Sequence, residues 1–213
     1  MQLLLFGATG GTGRRVLAQA LDRGHTVTAV VRSPEDLGSK PEGLTVVAGD
    51  MADPEVVERA INGAEAVIMA AGPVKSSPAD LMEVTARNIT QAMKENGTKR
   101  LVWLTGAGVM DERDAKSFSR RLIRGLMKIV AGKVLAGSER GYEIVKSSGL
   151  DYTVVRPPML ANDPGGKNLI AGYTPPKPIP VGRDDLATFL LNAAESNEYV
   201  GESPLLSYSE RLK

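Results

Sequence analysis

The 213 residues, 42% hydrophobic and 24% charged with 23 glycines and 13 prolines, suit one α/β domain and leave too little chain for a second full one. With no cysteine and a single histidine, His25, the chain offers no disulfide, thiol nucleophile, thiolate metal site or histidine-rich zinc site. A net charge of +1 supplies no overall field for a polyanion and 4% aromatic residues leave few stacking platforms, so no nucleic-acid partner is expected.

From Met1 a short apolar run leads straight into glycines, without a basic leader or a cleavage-like spacer, and a cytoplasmic chain is expected. No run approaches the roughly 18 apolar residues of a spanning helix, so no integral membrane association is expected. Residues 2–6 read as a fully buried strand, 12–23 as a helix and 25–31 as a β-branched strand, which makes a βαβ unit. Strand 44–48 ends in Gly49-Asp50, Pro54 opens a helix through Ile61, and strand 66–70 ends in Ala71-Gly72. A long helix at 80–96 and a strand at 100–105 follow. A helix closing at 140–147 then leads through Gly149 into strand 152–156. The last helix spans 184–196, with Asp184 or Asp185 as its expected cap. Residues 162–183, rich in proline and glycine, should be mostly irregular. The alternation predicts a doubly wound parallel sheet, a single-domain Rossmann fold over 1–213. Its glycine-rich first turn favours the dinucleotide-binding strand order.

The run Gly7-Ala8-Thr9-Gly10-Gly11-Thr12-Gly13 follows a buried strand and opens a helix, the context in which GxxGxxG acquires a physical meaning. Gly7 allows the tight turn, Gly10 admits a pyrophosphate close to the backbone, and Gly13 lets the helix pack closely. Thr9 and Thr12 add hydroxyl donors beside the free helix amides. A carboxylate at the end of the second strand would accept the ribose hydroxyls of NAD; here Arg32 and Ser33 stand there, which suits the extra phosphate of NADP. NAD remains open, because Arg32 can equally be a solvated strand-end arginine. Asp50, with Met51 beside it, is placed to approach the adenine amino group, or serves as an ordinary helix-capping residue. Ala71 and Gly72 let a cofactor backbone lie close. No Walker lysine follows the glycines, which excludes nucleotide hydrolysis of that kind.

Several segments together resemble the atypical short-chain dehydrogenase/reductases, in the group of NmrA-like proteins and biliverdin-IXβ/flavin reductases. They are the glycine loop, Val30-Val31-Arg32, Val47-Ala48-Gly49-Asp50, Ala86-Arg87-Asn88-Ile89, Ala92-Met93-Lys94, Ser148-Gly149-Leu150-Asp151-Tyr152, Val155-Arg156-Pro157-Pro158 and Asp184-Asp185-Leu186. The resemblance implies that Arg156, Pro157 and Pro158 lie beside the nicotinamide, and that NADPH reduces a flavin, quinone or similar planar acceptor mainly by placement. The flavin-reductase serine on strand five corresponds to Gly106, with Thr105 just before it, and the active-site histidine of that group to Tyr142. Thr105 and Tyr142 are therefore the candidate catalytic residues, Thr105 also as a nicotinamide contact.

Tyr142-Glu143-Ile144-Val145-Lys146 matches a YxxxK pair, in which a lysine tunes a tyrosine acid one turn away. In the extended members of the superfamily, however, the pair lies about two turns earlier, which falls at Val134 and Ser138. Tyr142 then serves as a proton donor, as a ring wall of the substrate pocket, or as packing at the helix end. Lys116, Arg120, Arg121, Arg124, Lys128 and Lys133, interleaved with apolar residues, predict a basic amphipathic helix that acts as a lid, a subunit contact or a solvated face. Segments 111–138 and 162–183 are left to define the substrate. His25 is read as structural. The expected activity is an NADPH-dependent oxidoreductase acting on a small molecule, as a monomer or weak homodimer. The alternatives are a non-catalytic NAD(P)-binding sensor of the NmrA type and a nucleotide-sugar or other small-molecule epimerase or reductase.

Overall fold

The computed structural model describes residues 1–208 except 39, 75, 117, 163–168 and 175–178, and gives no side-chain placement for 118–124 and 126–130. Its centre is a six-stranded parallel sheet of β1 (Gln2–Phe6), β2 (Thr26–Val31), β3 (Leu44–Ala48), β4 (Ala66–Met69), β5 (Arg100–Leu104) and β6 (Asp151–Val155). The order β3-β2-β1-β4-β5-β6 reverses direction between β1 and β4, as expected from the glycine-rich first turn. That reversal opens a crevice at the carboxyl ends of the strands, where the glycine loop lies.

The sequence of β1 shows why both faces are covered. Leu3 and Leu5 point to one side, onto α1 (Gly11–Asp22) and α5 (Arg183–Glu195); Leu4 and Phe6 point to the other, onto α2 (Pro54–Ile61), α3 (Leu81–Asn96) and α4 (Phe118–Lys146). Helix α2 starts where Pro54 predicts, with Asp53 accepting from the Glu55 amide at 3.0 Å. His25 is structural: Nε2 lies 2.8 Å from Glu195 and Nδ1 3.2 Å from the Met1 amino group, which ties the start of β2 to the end of α5.

Two expectations need correction. Helix α5 has Gly182 at its cap position and no side-chain cap; Asp184 and Asp185 sit in its first turn, Asp184 paired with Arg15 at 3.1 Å and Asp185 accepting from Tyr208 Oη at 2.9 Å. The 162–183 stretch contributes β8 (Leu169–Gly172), antiparallel to β10 (Leu205–Tyr208), and β9 (Val181–Gly182), parallel to β7 (Leu160–Ala161). As expected, the basic segment forms a helix of its own ahead of the one ending at Lys146; the two run on from each other as α4 and are separated by non-helical backbone at Ala131. The basic side chains from Arg120 to Lys128 lie outside the described residues.

Candidate active site

The crevice is a cleft of about 630 Å³ with three sectors. The first is the glycine loop. Gly7 has φ +85°, and a Cβ there would lie 2.6 Å from the Ala71 amide nitrogen, so only glycine lets the chain after β4 pass this close. The Gly10 amide donates to the Gly7 carbonyl at 2.9 Å and closes the turn, and Arg14 Nε donates to the Thr9 carbonyl at 2.9 Å and braces it. Helix α1 begins with no side-chain cap at Gly10 and no acidic residue in its first turn, so its amide end faces the cleft unneutralised. Gly7, Thr9, Gly10, Gly11 and Thr12 line the cleft there. A glycine cradle under an uncapped helix start fits a dinucleotide pyrophosphate. Gly13 does not line it; its place is behind the turn, where a Cβ would fall 1.9 Å from the Gly7 carbonyl oxygen.

The second sector lies over β2 and β3. Arg32 and Asp50 line it together with Met51, Val30, Val31 and Gly49. Arg32 is exposed at the rim and, among the described residues, makes no hydrogen bond or ion pair, which leaves its guanidinium available for a phosphate. Asp50 Oδ1 accepts the Ala52 amide at 2.9 Å, and Asn88 Nδ2 donates to the Ala52 carbonyl at 2.9 Å, so this turn is held from both sides. Ser33 does not line the cleft; it precedes a 3-10 turn, Pro34–Leu37, and its carbonyl accepts the Asp36 amide.

Ala71 and Gly72 floor the passage to the third sector, which is apolar: Pro73, Val74, Leu81, Met82, Leu104, Val109, Leu135 and Leu160 form most of its walls. Its hydroxyls are Ser76, Ser77, Thr105 and Ser138. Thr105, at the end of β5, is half-buried and held by its amide donating to the Val155 carbonyl at 3.0 Å. Val134 and Ser138 also line this sector, at the two positions where the sequence resemblance puts the catalytic tyrosine and lysine of the extended reductases. Ser138 Oγ turns back to the Val134 carbonyl at 3.1 Å. Among the described lining residues the charged ones are Arg32, Asp50 and Arg183.

Tyr142 and Arg156 are not part of this cleft. Tyr142 is 1% exposed, and its hydroxyl donates to Asp111 and also bonds Ser203 Oγ at 3.1 Å. Burial, and then the Asp111 carboxylate, push its ionisation far above the ordinary phenol range, and its hydroxyl is turned to Asp111 and Ser203 and not to the cleft. Lys146 pairs with Glu112 at 2.8 Å instead of tuning the tyrosine. Arg156 is 0% exposed; it grips Asp114 through two hydrogen bonds of 2.7 and 2.8 Å and donates to the carbonyls of Val109 and Ser203. Pro157 and Pro158 likewise fall outside the lining, and Leu160 is the first residue beyond β6 to reach it.

These buried charges work on the loop after β5. Its four consecutive charged residues each reach a different anchor: Asp111 meets Tyr142, Glu112 meets Lys146, Arg113 meets Glu202 at 2.9 Å, and Asp114 meets Arg156. Burial opposes the charge on Asp111, but hydrogen bonds from Arg113 and Tyr142 outweigh it and hold the carboxyl well below the usual range. The loop so clamped carries Thr105 to Val109, one wall of the third sector. Arg183, which sequence reasoning placed at the end of the irregular 162–183 stretch and did not single out, reaches the cleft because β9 closes onto β7.

Fold and crevice together define a dinucleotide-binding Rossmann protein, and comparison with known proteins agrees. The chain belongs to the NAD(P)H-binding family, which matches residues 7–197. It is 30% identical over 155 residues to the (4-alkanoyl-5-oxo-2,5-dihydrofuran-3-yl)methyl phosphate reductase of Streptomyces griseus, covering 73% of this chain and 46% of that one. It is 27% identical over 211 residues to YhfK of Bacillus subtilis, described as an uncharacterized sugar epimerase, covering 92% and 90%. Against several curated relatives the match takes in between 33% and 62% of their length. The solved structure of ChuY, an anaerobillin reductase from Escherichia coli O157:H7, shares the fold with a TM-score of 0.76 at 21% identity, covering 100% of this chain and 99% of that one. No helix among the described residues is long and apolar enough to cross a membrane.

Proposed function

We propose that the protein is an NADPH-dependent reductase of a planar conjugated small molecule, such as a flavin or quinone, bound in the apolar third sector. The glycine loop and the α1 amides would hold the pyrophosphate, Arg32 the 2′-phosphate, and Asp50 the adenine. Bound NADPH supplies the hydride. The chain's own work in the third sector is placement and exclusion of water by its apolar walls, with the Thr105 hydroxyl orienting the acceptor or the nicotinamide.

The observation that carries this reading is the make-up of that sector: at the positions of the catalytic pair stand Val134 and Ser138, and the described walls offer hydroxyls but no tyrosine, lysine, histidine or carboxylate. A carbonyl reductase or an epimerase needs a positioned acid or base there. A flavin or quinone takes its proton from solvent once reduced, so it needs none. The reductase names carried by the Streptomyces relative and by ChuY support the same class of chemistry.

The test is oxidation of NADPH and NADH by the purified chain with riboflavin, FMN or a benzoquinone as acceptor. NADPH is expected to be preferred at least about tenfold in kcat/KM, the worth of one arginine–phosphate contact. Tight NADPH binding with no turnover of any acceptor would replace this reading with the dinucleotide sensor, which the missing acid–base pair also favours.

A further inference from the structure

The pattern that shapes the turn employs Gly7, Gly10 and Gly13, and Gly11 holds none of those places. The structure gives Gly11 another reason to lack a side chain: a Cβ there would lie 2.9 Å from Arg183 Nε and 3.1 Å from its Cδ. Arg183 is laid across the first residue of α1. Chain closure brings it there. Ala161 on β7 pairs with Gly182 on β9, so the next residues, Asn162 and Arg183, emerge side by side, and Arg183 Nη1 donates to Asn162 Oδ1 at 2.8 Å. The two helix starts are locked in register by Gln19 Nε2 donating to the Asp184 carbonyl and by the Arg15–Asp184 pair, both at 3.1 Å.

A guanidinium set on the positive end of a helix is electrostatically misplaced unless an anion comes between them. The two carboxylates that follow Arg183 in the chain do not fill that role, since Asp184 is held by Arg15 and Asp185 by Tyr208. Among the described residues its polar partner is the neutral Asn162 amide. We propose that Arg183 is the second half of the phosphate site: it covers the dinucleotide pyrophosphate from the α5 side while the α1 amides hold it from beneath. This rests on the dinucleotide-binding reading above, and it gives the two cleft arginines separate tasks. Arg32 answers a phosphate that NADH lacks, and Arg183 one that NADPH and NADH share.

The test is fluorescence titration of the full chain with NADPH and with NADH, for wild type, Arg183→Gln, Gly11→Ala and the double variant. Arg183→Gln is expected to weaken both dinucleotides by the same factor, about tenfold, because a charge-assisted bond to their common group is lost. Gly11→Ala, whose new methyl would meet first the flexible Arg183 side chain, is expected to fold normally and to show a similar loss by pushing the guanidinium away. The double variant should then be no worse than either single one by more than about twofold. Unchanged affinities for Arg183→Gln, a loss confined to NADPH, or additive losses in the double variant would each overturn the assignment. Wild type binding neither dinucleotide would instead sink the parent reading, and this one with it.

Discussion

Two glycines three residues apart are expected to fail in opposite ways when changed to alanine. At Gly13 the added Cβ would sit 1.9 Å from the Gly7 carbonyl oxygen, 2.6 Å from the Gly7 carbonyl carbon and 3.1 Å from Ala8 Cα, all of them backbone. Relief requires the start of α1 to move out by at least about 1 Å. That helix cannot move cheaply, because Val16, Leu17 and Ala20 fix it to the sheet. Overpacking of this kind costs about 3 kcal/mol at the upper end of its usual range. In a domain of this size that lowers Tm by about 10 °C. At Gly10 the Cβ would lie 3.3 Å from the same carbonyl oxygen and touch nothing else within reach, while facing the cleft. Gly10→Ala should therefore melt within about 3 °C of wild type yet bind NADPH about a hundredfold more weakly, since the methyl takes the space of the pyrophosphate. Thermal melting without nucleotide, paired with NADPH titration, separates the two effects. A Gly13→Ala protein as stable as wild type, or a Gly10→Ala protein that binds NADPH normally, would refute the division of the loop into packing and binding glycines.

Arg32→Gln should weaken NADPH about tenfold and leave NADH nearly unchanged, by the loss of one charge-assisted phosphate contact; equal effects on both would remove the 2′-phosphate role. Arg156→Met breaks the fully buried Arg156–Asp114 pair and should cost about 3–5 kcal/mol of stability, visible as a large fall in Tm, while any folded protein at low temperature keeps its NADPH affinity. Tyr142→Phe should keep turnover within about threefold, and a collapse of kcat at constant cofactor affinity would restore the tyrosine as an acid. Asp111 gives a pH signature. Its carboxyl is held below the ordinary value of 3.8 in the folded chain, so the stability it lends is complete above that pH and is lost as pH falls further. Asp111→Asn should thus be less stable than wild type at neutral pH, by chemical denaturation, with the gap closing below about pH 4; a gap constant down to pH 2 would contradict the assignment.

The sheet was legible because its signals are local. A five-residue apolar run, a glycine turn and a 3.6-residue periodicity each act within one element, and strands β1 to β6 fall within a residue or two of their expected places. Even the strand order followed, since the glycine turn specifies which crevice the chain must build. Partners far apart in sequence were not legible. Arg156 looks from the sequence like a cation at a strand end; its partner, Asp114, lies 42 residues earlier, in the loop after β5. Arg183 carried the opposite error. Its neighbours Asp184 and Asp185 suggested a helix cap, and only the closure of β9 onto β7, inside a stretch too rich in proline and glycine to read, brings its guanidinium over Gly11.

Tyr142 and Lys146 show why a correct pattern can point to the wrong place. A YxxxK spacing guarantees that the two side chains share one turn of a helix, and both do belong to α4. It carries no information about height along the axis. Val134 lines the cleft and Tyr142 comes eight residues later, about 12 Å further along the helix. There the tyrosine is over the Asp111 loop, and the lysine is drawn to Glu112. The same two residue types that would supply a proton at one height serve at the other as anchors for the loop that forms one wall of the cleft. What matters for the chemistry is which α4 residues reach the cleft beside Thr105, and among the described residues of this chain those are Ala131, Val134, Leu135 and Ser138, none of them an acid or a base.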